Sequence, residues 1–136
     1  MREAKLVRGK ELEFEIGQEP PLTLQRGISS KTAGNPHLKM ARTHIPPGAR
    51  NQRHYHVNCD AGMFVLKGRV KMFVGPDYEM KEVIAEEGDF FFVPAGAIHG
   101  LMNLSNTESA ELIAAKNNVS EDKEEGTIFV EPSWVK

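Results

Sequence analysis

Two histidines, His54 and His56, are separated by a single residue near the middle of the chain. If the backbone is extended here, alternate side chains point to the same face of the strand, so both imidazoles project to one side. Two ring nitrogens on one face can bind one metal ion, and neutral imidazole suits Zn, Fe, Ni, Mn and Cu. The pair therefore predicts part of a site for one divalent transition metal ion.

A third histidine follows in a later stretch that has its own pattern of glycine, proline and asparagine. A lone His-x-His pair is more often a chance cluster of core or surface histidines than a metal site. Three histidines in two ordered motifs favour a metal site, with coordination positions left open for a substrate. The first motif is Gly-x5-His-x-His with a later glycine, at Gly48, His54, His56 and Gly68. The second is Gly-x5-Pro-x-Gly-x2-His-x3-Asn, at Gly88, Pro94, Gly96, His99 and Asn103.

Together the two motifs resemble those of the cupin superfamily, over roughly residues 38–115. The resemblance implies an all-β fold, the double-stranded β-helix or jelly-roll barrel, in a small RmlC-like protein. It implies that His54, His56 and His99 hold the metal ion. It also implies a homodimer, because such domains often exchange N-terminal strands, for which residues 11–16 are the candidate here.

The first motif departs from the family pattern at its acidic residue. Cupins of this type usually carry glutamate four or five residues after the second histidine, and Asp60 and Ala61 occupy those positions here. With the shorter spacing, Asp60 completes a shell of three histidines and one carboxylate. With the longer spacing, the acid is absent and Asp60 is an exposed side chain. A β-bulge would decide between these alternatives, and both stay open.

Three polar side chains, Arg42, His44 and Gln52, are candidates for a substrate pocket. Arg42 and His44 share their face of a predicted strand with apolar residues, so they point into the barrel if that face does. Arg42 would then bind a substrate carboxylate through its guanidinium fork. If the face that carries Thr43 points inwards instead, Arg42 is solvated. Gln52 lies close enough to His54 in sequence to reach the same ligand.

Short strand signals separated by glycine and proline turns run through the chain, and no helical periodicity extends over three turns. This pattern is typical of a β-sandwich or barrel, and we predict a barrel of six to eight antiparallel strands, with two further short strands in the N-terminal arm. The run Phe90–Phe92 predicts a strand that is buried on both faces. The predicted strands cover residues 12–16, 22–28, 38–45, 62–66, 69–74, 83–85, 90–93, 99–104 and 110–115.

Length and composition limit the remaining possibilities. The 136 residues predict a single domain, with an N-terminal arm at about 1–36, a core at about 38–115 and a C-terminal tail at about 116–136. A formal charge of −2 argues against nucleic acid or an anionic membrane as a partner. One cysteine, Cys59, excludes an internal disulfide framework. A charged N-terminus without an apolar run of about 20 residues predicts a cytoplasmic protein.

Three functions agree with these residues. The first is a metal-dependent enzyme of the dioxygenase, decarboxylase or isomerase type that acts on a small organic acid or sugar. The second is a non-catalytic domain that binds or senses a small molecule. The third is a metal-free, epimerase-like cupin in which histidine acts as a base, and three convergent histidines disfavour it. We favour the enzyme, because a regulator would usually carry a DNA-binding domain. A fold alone does not decide the matter.

Overall fold

The computed structural model describes residues 3–34, 37–119 and 125–131. In these residues, eleven strands form two antiparallel sheets, and the only α-helix, α1 (Ser30–Ala33), is a single turn. The all-β jelly-roll prediction is confirmed. The strand number exceeds the six to eight predicted for the barrel. The strands are β1 (Glu15–Ile16), β2 (Thr23–Ile28), β3 (Leu38–Ile45), β4 (His54–His56), β5 (Ala61–Lys67), β6 (Arg69–Val74), β7 (Lys81–Glu86), β8 (Phe90–Val93), β9 (His99–Asn103), β10 (Ala110–Asn117) and β11 (Thr127–Phe129).

Both ends of the chain join the sheets, which explains the larger number of strands. One sheet has the order β1-β2-β3-β10-β5-β8, so the N-terminal strands extend the edge next to β3. The other has the order β11-β4-β9-β6-β7, so the C-terminal strand β11 pairs with the histidine-bearing strand β4. Residues outside the predicted barrel core therefore lie directly beside the histidines.

A hydrophobic core fills the space between the two sheets, and strand alternation selects its members. In β10, Ala110 and Leu112 are buried in this core. Ala114 and Lys116 continue the same alternation and line a cavity at one end of the core. A single strand therefore supplies apolar packing at one end and a charged side chain to the cavity at the other.

Strand β8 differs from the prediction that it is buried on both faces. Phe90 and Phe92 are 81% and 65% exposed, whereas Phe91 packs against the core. The reason is that the sheet containing β8 packs on the core through one face only, so the alternate side chains of β8 point to solvent. The run of phenylalanines is therefore an ordinary alternation in which the outward positions are also aromatic.

Gly68 joins β5 to β6 with a φ of +85°, and it offers a test of the turn. A Cβ added here would lie 2.9 Å from the Cβ and 3.3 Å from the Cα of Ala110. Gly88 is a matched control, because its φ is +91° but nothing lies within 4 Å of an added Cβ. Both alanine variants carry the backbone strain of a positive φ, and only Gly68→Ala adds a clash. We expect Gly68→Ala to lower the free energy of unfolding by about 1–3 kcal/mol more than Gly88→Ala, measured by urea denaturation. Equal losses would contradict the close approach.

Candidate metal centre

Three buried histidines come together where β4 meets β9. His54 and His56 lie on the same face of β4, and His54 is directly opposite His99 in the sheet. The ring centroids are 4.9 Å apart for His54 and His56, 4.4 Å for His54 and His99, and 5.3 Å for His56 and His99. One ring nitrogen of each lies within 4.8 Å of the other two. The geometry therefore allows one ion to contact all three rings.

The Nδ1 atom of each ring faces an oxygen atom of the protein. A carbonyl oxygen only accepts, so a ring nitrogen at hydrogen-bond distance from it carries the proton. A hydroxyl can accept in the same way. With Nδ1 as the donor, the lone pair is on Nε2, and this arrangement is common for metal-binding histidines. The acceptors are Gln52 O for His54 at 2.7 Å, Ala97 O for His99 at 2.9 Å and Thr127 Oγ1 for His56 at 2.9 Å.

The Nε2 atom of His54 provides the observation that fits a metal ion. It is buried and makes no hydrogen bond within the described part of the chain. A carboxylate oxygen of Glu19 lies 2.8 Å away, but the pair lacks hydrogen-bond alignment. An unsatisfied buried polar atom costs about 1–3 kcal/mol, so it needs an explanation such as a bound ion. An ion coordinated by Nε2 would satisfy it.

Burial controls the charges of the three rings. It lowers the pKa of both His56 and His99 to about 4, and nearby positive charges act in the same direction. Burial also lowers the pKa of His54, but the Glu19 carboxylate more than offsets this effect, so the pKa is raised. For Glu19, burial raises the pKa, but the contact with His54 outweighs it and holds the pKa at about 2. Two of the three imidazoles are therefore neutral at pH 7 and can bind a metal ion without losing a proton.

The histidines line a cavity of about 210 Å³ between the sheets. Much of its wall is apolar, and the remainder is polar or charged. The apolar side chains include Leu22, Leu24, Ile28, Met40, Met63, Leu101 and Leu112. The charged side chains are Glu19, Arg26, Lys39, Lys116 and Glu125.

Lys116 is a charged side chain of the cavity that is mostly shielded from solvent. Its side chain is 19% exposed and its ammonium forms an ion pair with Glu125. The Glu125 carboxylate also lies 3.7 Å from Nδ1 of His56. Burial lowers the pKa of Lys116, but Glu125 and Glu19 more than offset this, so the pKa is raised and the ammonium stays charged. A permanent cation therefore lies in the same cavity as the histidines.

The structure does not place Asp60 with the three histidines. Its Oδ1 atom accepts a hydrogen bond of 2.8 Å from the backbone N–H of Ala95. Ala61 is buried, and it shares its face of β5 with Met63, which lines the cavity. The regular strand thus follows the longer of the two motif spacings, in which the inward position carries a methyl group instead of an acid.

The three predicted pocket residues also lie outside the cavity. Arg42 pairs with Glu111 through a 2.8 Å hydrogen bond on the outer face of β3, and His44 packs its ring against Phe14. Gln52 donates a 2.8 Å hydrogen bond to the backbone oxygen of Glu131. Arg42 and His44 lie outside the cavity because they alternate along β3 with Ala41 and Thr43, which line it.

The sequence interpretation missed Glu19, Lys116 and Glu125. Lys116 has a detectable signal, because it continues the inward alternation of Ala110 and Leu112 in β10. Glu19 lies in the N-terminal arm and Glu125 beyond the predicted core, and neither belongs to a recognisable pattern. These two carboxylates lie near the histidines only in the folded structure, so the sequence alone does not identify them.

A second group of metal-ligating side chains shares one histidine with the first. His56, Cys59 and Glu125 have ligand atoms within 4.8 Å of one another. Burial raises the pKa of the Cys59 thiol, and Glu125 acts in the same direction. A neutral thiol is a poor ligand for a metal ion, so the three histidines are the better site.

Comparison with known families agrees with this geometry. The family model described as "Cupin domain" matches residues 41–116, which is more than half of the chain. The chain belongs to the cupin family. The matched segment contains all three histidines but neither Glu19 nor Glu125. Four of the five charged side chains of this cupin's cavity therefore come from outside the matched segment: Glu19, Arg26, Lys39 and Glu125.

Individual relatives support the fold. A germin-like protein, subfamily 3 member 2, from Arabidopsis thaliana is 28% identical over 82 residues, which are 60% of this chain and 36% of the relative. A structure of oxalate oxidase superposes with a TM-score of 0.65 at 21% identity, covering 80% of this chain and 55% of that one. The polyketide cyclase RemF from Streptomyces resistomycificus has a TM-score of 0.76 at 17% identity, covering 97% and 89%. This cupin thus spans about a third to a half of the length of the first two.

The described residues of this cupin contain no helix with the length and apolar character that crossing a membrane requires.

Proposed function

We propose that this cupin is a metal-dependent enzyme that acts on a small organic acid. The observation that carries the proposal is the joint position of three buried histidines and the Lys116 ammonium on the wall of one cavity. The histidines suit a divalent transition metal ion, and a set of imidazole ligands is compatible with Zn, Fe, Ni, Mn and Cu. The ammonium suits an anionic group on the molecule that the metal would face.

His54, His56 and His99 would hold the ion through Nε2, because their Nδ1 atoms are directed to acceptors of the protein. When bound, such an ion acts as a Lewis acid that polarises a coordinated substrate oxygen. The other residues of the cavity bind and orient the substrate. Lys116 orients a substrate carboxylate, and the apolar wall excludes water, which strengthens both electrostatic contacts.

The charges of the cavity favour an acid over a neutral sugar. Its wall carries three cationic side chains, Arg26, Lys39 and Lys116, against two carboxylates, Glu19 and Glu125. The formal charge is therefore positive by one before a divalent ion adds two more. The volume of about 210 Å³ is below the roughly 300–1,000 Å³ of sites for drug-sized ligands, so the substrate is small.

Elemental analysis of protein purified without added metal tests the first half of the proposal, and we expect about one transition metal ion per chain. Oxygen uptake and product formation are then followed with a panel of small acids. The panel includes oxalate, because it gives its name to one structural neighbour, and a neutral sugar of similar size is the control. We expect turnover of at least one acid and loss of turnover after chelation.

The outcomes separate the proposal from its alternative. Protein that neither contains nor takes up a transition metal ion would overturn the proposal. Metal-dependent binding of an acid without any turnover would instead identify a binding or sensing domain. The homodimer, the single-domain boundaries and the cytoplasmic location stay predictions.

A further inference from the structure

The metal site lacks an acidic ligand from its own motif, and the structure shows why. Ala61 occupies the inward position on β5 with only a methyl group, and Asp60 is directed to the backbone of Ala95. Three neutral imidazoles alone leave the charge of a divalent ion uncompensated in a buried site. A carboxylate near the ion would reduce that cost.

Glu19, which lies outside the motif, has its carboxylate beside His54. Its Oε1 atom lies 2.8 Å from Nε2 of His54, and the same side chain lines the cavity. The oxygen lies off the N–H direction of the ring, which excludes a good hydrogen bond. It suits an ion on the lone-pair axis of Nε2 with the oxygen beside it. Two ligand atoms at about 2.1 Å from one ion, at a right angle to each other, lie about 3 Å apart.

The surroundings of Glu19 hold the carboxylate in this position. Asn51, which is 2% exposed, donates a 2.8 Å hydrogen bond from Nδ2 to Glu19 Oε1. The Oδ1 atom of Asn51 in turn accepts a 2.8 Å hydrogen bond from the backbone N–H of Leu101. On the backbone, the N–H of Leu22 donates to the carbonyl of Glu19 at 3.0 Å, and the Leu22 side chain is buried in the core. The backbone of Glu19 is therefore fixed, and one hydrogen bond from Asn51 keeps its carboxylate beside His54 in the metal-free protein.

We propose that Glu19 supplies the carboxylate ligand that the first motif lacks, so that the site becomes three histidines and one glutamate from the N-terminal arm. This inference rests on the proposed metal site. In the structure, no carboxylate oxygen of Glu19 lies within 4.8 Å of the ligand nitrogens of all three histidines. Its carboxylate therefore turns towards them when the ion binds, a movement that the torsions of a glutamate side chain permit.

The test is the affinity of the metal-free protein for Zn²⁺, measured by competition with a chelating dye, in parent and Glu19→Gln. Glutamine keeps the length of the side chain and an oxygen that accepts from Asn51, but it loses the charge. We expect affinity to fall by about 10-fold or more, on the scale of a perturbed metal shell. The absorption spectrum of bound Co²⁺ should change as well, because one ligand is replaced. Glu13→Gln is the matched control, since Glu13 is an exposed acid of the same arm that does not line the cavity.

Parent-like affinity and an unchanged Co²⁺ spectrum in Glu19→Gln would overturn the inference. His99→Ala separates this failure from failure of the site itself. If only His99→Ala loses the metal, the histidine site stands and Glu19 is not a ligand. If neither variant loses it, the metal site and the inference both fall. Glu19→Met, which has a similar length and no polar end, is the second variant, and circular dichroism of the metal-free forms establishes which variant is folded.

Discussion

His99→Ala is expected to lower the affinity for a divalent transition metal ion by about 100-fold or more, the upper end of the range for a perturbed metal shell. His99 begins β9 and faces His54 directly across the sheet, so no other described histidine can take its place. Loss of one ligand from three or four removes a large part of the binding free energy. The barrel itself should persist, because turns and core residues elsewhere specify its strands.

Metal content after dialysis and Zn²⁺ titration of the metal-free protein measure this effect. His37→Ala is the control, because His37 is an exposed histidine outside the cavity. The melting temperature of parent protein should rise when metal is added, since an ion bound only by the folded state stabilises it by mass action. His99→Ala should lose most of that increase. Equal metal content in parent and variant would show that the three histidines are not the site.

Lys116→Met should weaken the binding of a small acid by about 10- to 150-fold, since a hydrogen bond to a charged group contributes about 1.5–3 kcal/mol. The Lys116 ammonium has three N–H donors, and the bond to Glu125 uses one of them. The others are available to a ligand carboxylate. Methionine keeps much of the apolar stem of lysine, so the packing against the cavity wall changes little.

Calorimetric titration of metal-loaded protein with oxalate, as a probe, measures the loss. Lys67→Met, at the exposed end of β5, is the control for a general change in charge. Removal of Lys116 also leaves Glu125 without its cation, so Lys116→Met/Glu125→Gln distinguishes lost attraction from new repulsion. Weak binding in both variants supports a direct contact with Lys116. Full recovery in the double variant would show that Glu125 repels the acid and that Lys116 does not bind it.

The sequence is sufficient to predict the histidine cluster, because its signals are local. Alternation places His54 and His56 on one face, and glycines with positive φ, such as Gly68, end the strands where the motifs indicate. The position of Glu19 beside the histidines cannot be predicted in this way. Its carboxylate accepts a hydrogen bond from Asn51, which is 32 positions away in sequence, and no sequence pattern links the two residues. A contact of this kind exists only after the arm has packed against the barrel.

Two errors come from alternation itself, which gives the period of a strand but not the side that faces the core. In β3, apolar Leu38 shares one face with Arg42, and the small residues Ala41 and Thr43 lie on the other, so the sequence does not choose between the two faces. The structure turns Arg42 outwards. In β8, Phe90 faces solvent because the sheet packs on the core through its other face. Both orientations depend on how the two sheets pack together.

The division of the cavity between the family core and the chain ends has a consequence for comparing such proteins. The histidines lie within the matched residues 41–116, whereas Glu19, Leu22 and Glu125 lie outside them. Two chains with identical motifs can therefore have cavities of different charge. Substitutions in the N- and C-terminal segments change the residues that line the cavity without changing the histidines. Grouping by motif would place such chains together although they select different molecules. Chimeras that exchange residues 1–28 between relatives would show directly how far the N-terminal segment, as distinct from the barrel core, determines which small molecules bind.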